Sequence, residues 1–76
     1  MSSRIPRITG DEAIRAFRKA GFEVIRTRGS HCILKREGHP HRLSIPLHGG
    51  QILGTGLLKS QIEAAGLTIE QFIELL

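Results

Sequence analysis

The chain has 76 residues, of which 39% are hydrophobic and 24% charged, and a formal net charge of +4. A chain this short buries only about 60% of the surface its unfolded form exposes, which leaves little room for a deep enclosed pocket and favours a substrate laid across a surface. One cysteine, Cys32, cannot form an internal disulfide or supply a cysteine-based zinc site alone, and no apolar run approaches the roughly 18 residues of a membrane span.

Met1 to Arg7 carries basic residues with no apolar stretch behind them, so it does not read as a secretory signal. The expectation is a cytosolic protein with one domain over residues 1–76. Thr9 to Ala20 then reads as the first helix. Thr9 is placed to cap it, and Glu12 three positions on completes a capping box, with Ile8 and Ala13 at the staple positions. Ala13, Ile14, Ala16, Phe17 and Ala20 make its apolar stripe, with Arg15, Arg18 and Lys19 towards the other side. Gly21 stands where a left-handed residue ends a helix.

Phe22 to Arg28 favours a strand, and Arg28-Gly29 signals a turn. Ser30 to Glu37 is a second strand, broken by Gly38-His39-Pro40, and His41 to Leu47 is a third. The short break implies an antiparallel hairpin. Cys32 and Leu34 share one face of the second strand, with His31, Ile33 and Lys35 on the other. Leu43, Ile45 and Leu47 share a face of the third, opposite Arg42, Ser44 and His48. Residues 48–54 form a loop. Thr55 is placed to cap a second helix running to Ala65 and ended by Gly66, with Leu57, Leu58, Ile62 and Ala65 as its buried side. Thr68 and Gln71 form the capping box of a short last helix, with Leu67 and Phe72 as its staple.

The expected fold is α+β, with a three-stranded antiparallel sheet packed on helices and a short C-terminal helix. The α-β-β-β-α order is that of double-stranded-RNA-binding domains, although order alone does not give function.

Residues 1–59 hold all eleven Lys and Arg against four acids, while residues 60–76 hold three Glu and no Lys or Arg. The basic section would attract a polyanion such as nucleic acid. Histidine is the side chain poised for proton transfer near neutral pH, and there are four. His39 and His41, flanking Pro40, read as solvated turn residues. No metal site is expected, because zinc needs three or four protein ligands and no acid or cysteine stands at a matching spacing. A hairpin turning at His39-Pro40 sets His31 opposite His48, about 5 Å apart at Cβ. A turn at Gly38-His39 sets His31 against Pro46 instead. Either way the two histidines share the polar face.

Two histidines on a basic surface suit RNA cleavage without metal or cofactor, one group removing a proton from the 2′-hydroxyl and another protonating the leaving oxygen. Lys35, Arg42 or Lys59 could stabilise the phosphorane charge. Backbone amides around Gly29-Ser30 or Gly49-Gly50 could hold phosphate oxygens. Taken singly, and from spacing alone, each histidine reads better as an ordinary polar strand residue. Cys32 and Ser30 point to the opposite strand face from His31 and make poor nucleophilic partners for it. The residues alone leave three readings open: a metal-independent ribonuclease, a non-catalytic nucleic-acid-binding module, and a protein-interaction domain whose charge is incidental.

Four stretches, in order, carry a family resemblance over nearly the whole chain. They are Lys19-Ala20-Gly21-Phe22-Glu23-Val24, Gly29-Ser30-His31, Ile45-Pro46-Leu47-His48-Gly49-Gly50, and Gly54-Thr55 with its helix and Ala64-Ala65-Gly66-Leu67-Thr68. On these the chain resembles the HicA toxins of toxin–antitoxin systems; the extra Gly56 departs from the family pattern. The resemblance implies a double-stranded-RNA-binding-like fold and an mRNA endonuclease that stops translation. It also implies neutralisation by a HicB-type antitoxin covering the active face. It assigns catalysis to the histidine of Gly-Ser-His, here His31, and leaves His48 as a candidate second acid, base or phosphate-binding residue.

Overall fold

The computed structural model describes residues 4–76. In chain order they form α1 (Gly10–Lys19), β1 (Glu23–Arg28), β2 (His31–Lys35), β3 (Leu43–Pro46), α2 (Thr55–Ala64) and α3 (Ile69–Glu74). The strands make one antiparallel sheet in the order β1-β2-β3. This is the α+β, double-stranded-RNA-binding-like arrangement that the hydrophobic patterning predicts.

α1 begins where its capping box places it. The Thr9 hydroxyl accepts from the Glu12 backbone N–H, and the Glu12 carboxylate accepts from the Thr9 N–H at 2.9 Å. These bonds satisfy two of the backbone donors that a helix start leaves orphaned. Gly21 ends the helix at φ +100°, a backbone region that strains any residue with a Cβ. α3 repeats the device with Thr68 and Gln71.

α2 departs from expectation at its start. Thr55 is its first helical residue rather than its cap; Gly54 is the N-cap, with no side-chain bond. The chain enters from Leu53, which is buried and donates its N–H to the Ile8 carbonyl at 2.8 Å. That anchor sets the entry one residue early. Leu57 also differs: it is 38% exposed, because the inner face of α2 is Leu58 and Ile62, followed by Ala65. Leu57 lies one helical step, about 100°, round from Leu58.

The core lies between one sheet face and the helices. Cys32, Leu34, Leu43 and Ile45 from the sheet meet Ala13, Ala16, Phe17, Leu58, Ile62 and Phe72 from the helices. With no Trp or Tyr, three phenylalanines provide the bulk. Phe17 packs edge-on to Phe22 at 6.2 Å and tilted against Phe72 at 4.9 Å, geometries that aromatic rings favour. Both α1 and α2 pack on β3, whereas all six residues of β1 are exposed.

The strands are shorter than the sequence pattern suggests, because the β2–β3 connection is tied down. A tight turn over Arg36 to His39 is closed by the His39 N–H on the Arg36 carbonyl at 3.0 Å, with Gly38 at φ +82°. His39 is not the solvated turn residue expected from its neighbours. Its Nε2 lies 2.7 Å from the Ala64 carbonyl oxygen, its Nδ1 lies 3.2 Å from Nη2 of Arg36, and its ring packs edge-on to Phe22. A carbonyl only accepts, so Nε2 carries the proton and Nδ1 accepts from Arg36. The ring thereby fastens the connection to the end of α2.

Candidate functional site

The β2–β3 pairing fixes which residues stand across from His31. His31 pairs with Pro46, Cys32 with Ile45, Ile33 with Ser44 and Leu34 with Leu43. His31 therefore does not face His48, as a hairpin centred on His39-Pro40 would require; the pairing is the one expected of the alternative centre at Gly38-His39. Proline suits this place. The Leu47 N–H donates to the Ser30 carbonyl, so by the antiparallel alternation the His31–Pro46 pair is a non-hydrogen-bonded one. The N–H that Pro46 lacks would have pointed to the free edge of β3, where no ladder bond is lost. One residue pair earlier on that same edge, the Ser44 N–H donates to Oε1 of Gln61 on α2 at 2.9 Å.

His31 opens β2 on the sheet face turned away from the helices. It is exposed, while its neighbour Cys32 is buried. No hydrogen bond or ion pair engages its imidazole among the described residues.

Two glycine turns stand at the same end of the sheet. Gly29-Ser30 joins β1 to β2, with Gly29 at φ +57°. The turn His48-Gly49-Gly50-Gln51 is closed by the Gln51 N–H on the His48 carbonyl at 2.9 Å, with Gly49 and Gly50 at φ +48° and +86°. Two successive positive φ values are what a type I′ turn requires. His48 is exposed, two residues past Pro46. It lines a shallow cavity of about 170 Å³ with Pro46, Gln51, Ile52 and Leu57.

The other expected basic residues lie elsewhere. Lys35 shares the outer face with His31 but ends β2, about 13 Å along the strand at roughly 3.3 Å per residue, and it pairs with Glu23. Arg42 precedes β3 at that same distant end. Lys59 is exposed on α2, about 200° round the helix from both Leu57 and Gln61, the residues that meet the β3 edge.

Two arginines that the sequence reading passed over stand closer. Arg28 pairs directly with His31, and Arg26 pairs with Ile33 on the same outer face. The available signal was Gly29-Ser30: as a two-residue hairpin loop it puts the flanking residues opposite each other. Placing the turn at Arg28-Gly29 hid that pairing.

Among the described residues, no group of three or more His, Cys, Asp or Glu side chains is placed to hold a metal ion. No helix among them is long and apolar enough to cross a membrane.

No individually curated protein matches the chain. The family model for the HicA toxin of bacterial toxin–antitoxin systems matches residues 10–67. That span runs from the start of α1 through the sheet, both glycine turns and α2, and so includes His31, Pro46 and His48. The chain belongs to the HicA toxin family, the toxin half of a toxin–antitoxin pair.

Proposed function

We propose that this toxin is an endoribonuclease that cleaves messenger RNA and so inhibits translation, with His31 as its central catalytic residue. Its inhibitor would be a HicB-type antitoxin that covers the same face. The observation carrying this reading is the position of His31, exposed on an open sheet face and flanked by two glycine turns.

The chemistry needs no cofactor. The RNA 2′-oxygen attacks the adjacent phosphorus, forming one P–O bond as the bond to the 5′-oxygen breaks. A base takes the 2′ proton and an acid supplies one to the 5′-oxygen, leaving a 2′,3′-cyclic phosphate and a 5′-hydroxyl. An imidazole serves either transfer near neutral pH. His31 performs one of them; His48, beyond Pro46, is the candidate for the other. The amides of Gly29, Ser30, Gly49 and Gly50 are the candidate backbone donors for phosphate oxygens. Lys35, Arg42 and Lys59 contribute to the field that draws the polyanion in.

The test is incubation of pure protein with a long single-stranded RNA in excess chelator, beside His31→Ala. Cleavage by the parent alone is expected. Cleavage by both would remove His31 from the chemistry. Binding without cleavage by either would make the protein a non-catalytic RNA-binding module.

A further inference from the structure

We infer that Arg28 binds the scissile phosphate beside His31, and that a β-bulge at Ile25 turns it toward that site; the inference rests on the nuclease reading above. Val24 pairs with Leu34, which is fully buried, so Val24 stands on the helix side of the sheet, though at this outer strand it stays 42% exposed. Strict alternation would put Arg26 and Arg28 on that side too. Instead the register shifts between Val24 and Arg26, so that Arg26 pairs with Ile33 and Arg28 with His31.

The side chains agree with the shift. The Thr27 hydroxyl lies 3.7 Å from the sulfur of Cys32, which is 6% exposed. Thr27 therefore faces inward, and its neighbours Arg26 and Arg28 face outward with His31. Ile25 is the extra residue, unpaired and 46% exposed. A bulge that leaves an isoleucine in water gains nothing in burial. What it changes is the direction of two arginines, and bulges beside active sites characteristically re-aim side chains.

Directly opposed residues stand about 5 Å apart at Cβ. A guanidinium there reaches a phosphate whose 2′-hydroxyl or 5′-oxygen is at the imidazole. Arg is always charged and presents a rigid fork that matches two phosphate oxygens. As the new P–O bond forms and the old one breaks, negative charge builds on the two non-bridging oxygens. Arg28 neutralises it and exchanges no proton, since the proton transfers belong to His31 and its partner acid or base. Lys35 is poorly placed for this, far along the strand and across the ladder from Glu23.

The test is single-turnover cleavage of a long single-stranded RNA by the parent, Arg28→Ala, Arg28→Lys and His31→Ala. Arg18→Ala on exposed α1 controls for the loss of one charge. Arg28→Ala should slow the chemical step about 100-fold, the usual cost of removing a donor that acts on transition-state charge. RNA affinity should change much less, Arg28→Lys should recover part of the rate, and Arg18→Ala should cleave like the parent. If Arg28→Ala fails to fold, Arg28→Gln takes its place. A parental rate, or a loss in affinity alone, overturns the assignment of Arg28. If His31→Ala also cleaves normally, the site is not at His31 and this inference falls while the nuclease reading stands; if the parent does not cleave, the nuclease reading fails and takes this inference with it.

Discussion

His31 stands directly across the β2–β3 ladder from Pro46, and the Pro46 carbonyl lies against the α-carbon of Gly10 at the start of α1. The exposed imidazole is thus backed by an edge strand that is itself seated on a helix terminus. A position on a strand is held more rigidly than one on a loop, which suits the proposed role of His31, in which the imidazole would meet a phosphate at a fixed distance.

Gly10→Ala tests that support. A Cβ on residue 10 would collide with the Pro46 carbonyl and crowd the Leu47 side chain, and backbone cannot rotate away. Overpacking of this kind costs about 1–3 kcal/mol. The expected result is a lower urea midpoint together with reduced RNA cleavage in protein that remains folded. An unchanged midpoint would mean that α1 and β3 are not in close contact.

His39→Ala should destabilise the fold without touching the sheet face that bears His31. It removes the bond to the Ala64 carbonyl, the bond from Arg36 and the packing on Phe22. Loss of a half-buried hydrogen-bonded ring of this kind costs about 1–3 kcal/mol. Thermal unfolding provides the check. A shift no larger than that of an exposed-site control such as Arg18→Ala would show that the ring does not fasten the connection.

Acid should loosen the start of α1. The Thr9 backbone N–H, and then its hydroxyl, hold the Glu12 carboxyl below its ordinary value. A carboxyl lowered in the folded state contributes stability above its unfolded pKa, and loses it as pH falls through the folded one. Glu12→Gln keeps a capping acceptor but has no proton to gain. Urea midpoints should therefore favour the parent near neutral pH, and the difference should narrow on the acid side of the carboxylate range. A difference that is constant with pH would dismiss the role of the Glu12 charge.

Much of the fold is legible along the chain because its determinants are local. Thr9 with Glu12 and Thr68 with Gln71 act within one helical turn, and both boxes form as their spacing predicts. Gly21 and Gly66 end helices at positive φ. The alternation of Cys32 and Leu34 against His31 and Lys35 sets which face is buried, since a strand's side chains point to opposite sides in turn. Local pattern misses where partners are distant in sequence. Leu53 and Ile8 together decide where α2 begins, and no residue near Thr55 carries that information.

The sequence by itself determined the element order, the buried face of the sheet and the placing of His31 on the open one. Periodicity and caps are short-range and repeat at every turn or strand residue. Only the tertiary structure decided which residues stand beside His31. The β2–β3 pairing sets Pro46 rather than His48 across from His31, and His39 in the connection is held on the Ala64 carbonyl. The bulge at Ile25 swings Arg28 to the same face. Register is the reason both escape the sequence. The two β2–β3 registers differ by two residues, which changes every facing pair but keeps each strand's buried face, and the one-residue bulge falls in a strand exposed throughout, so the chain's pattern is compatible with neighbours that only the packed molecule selects.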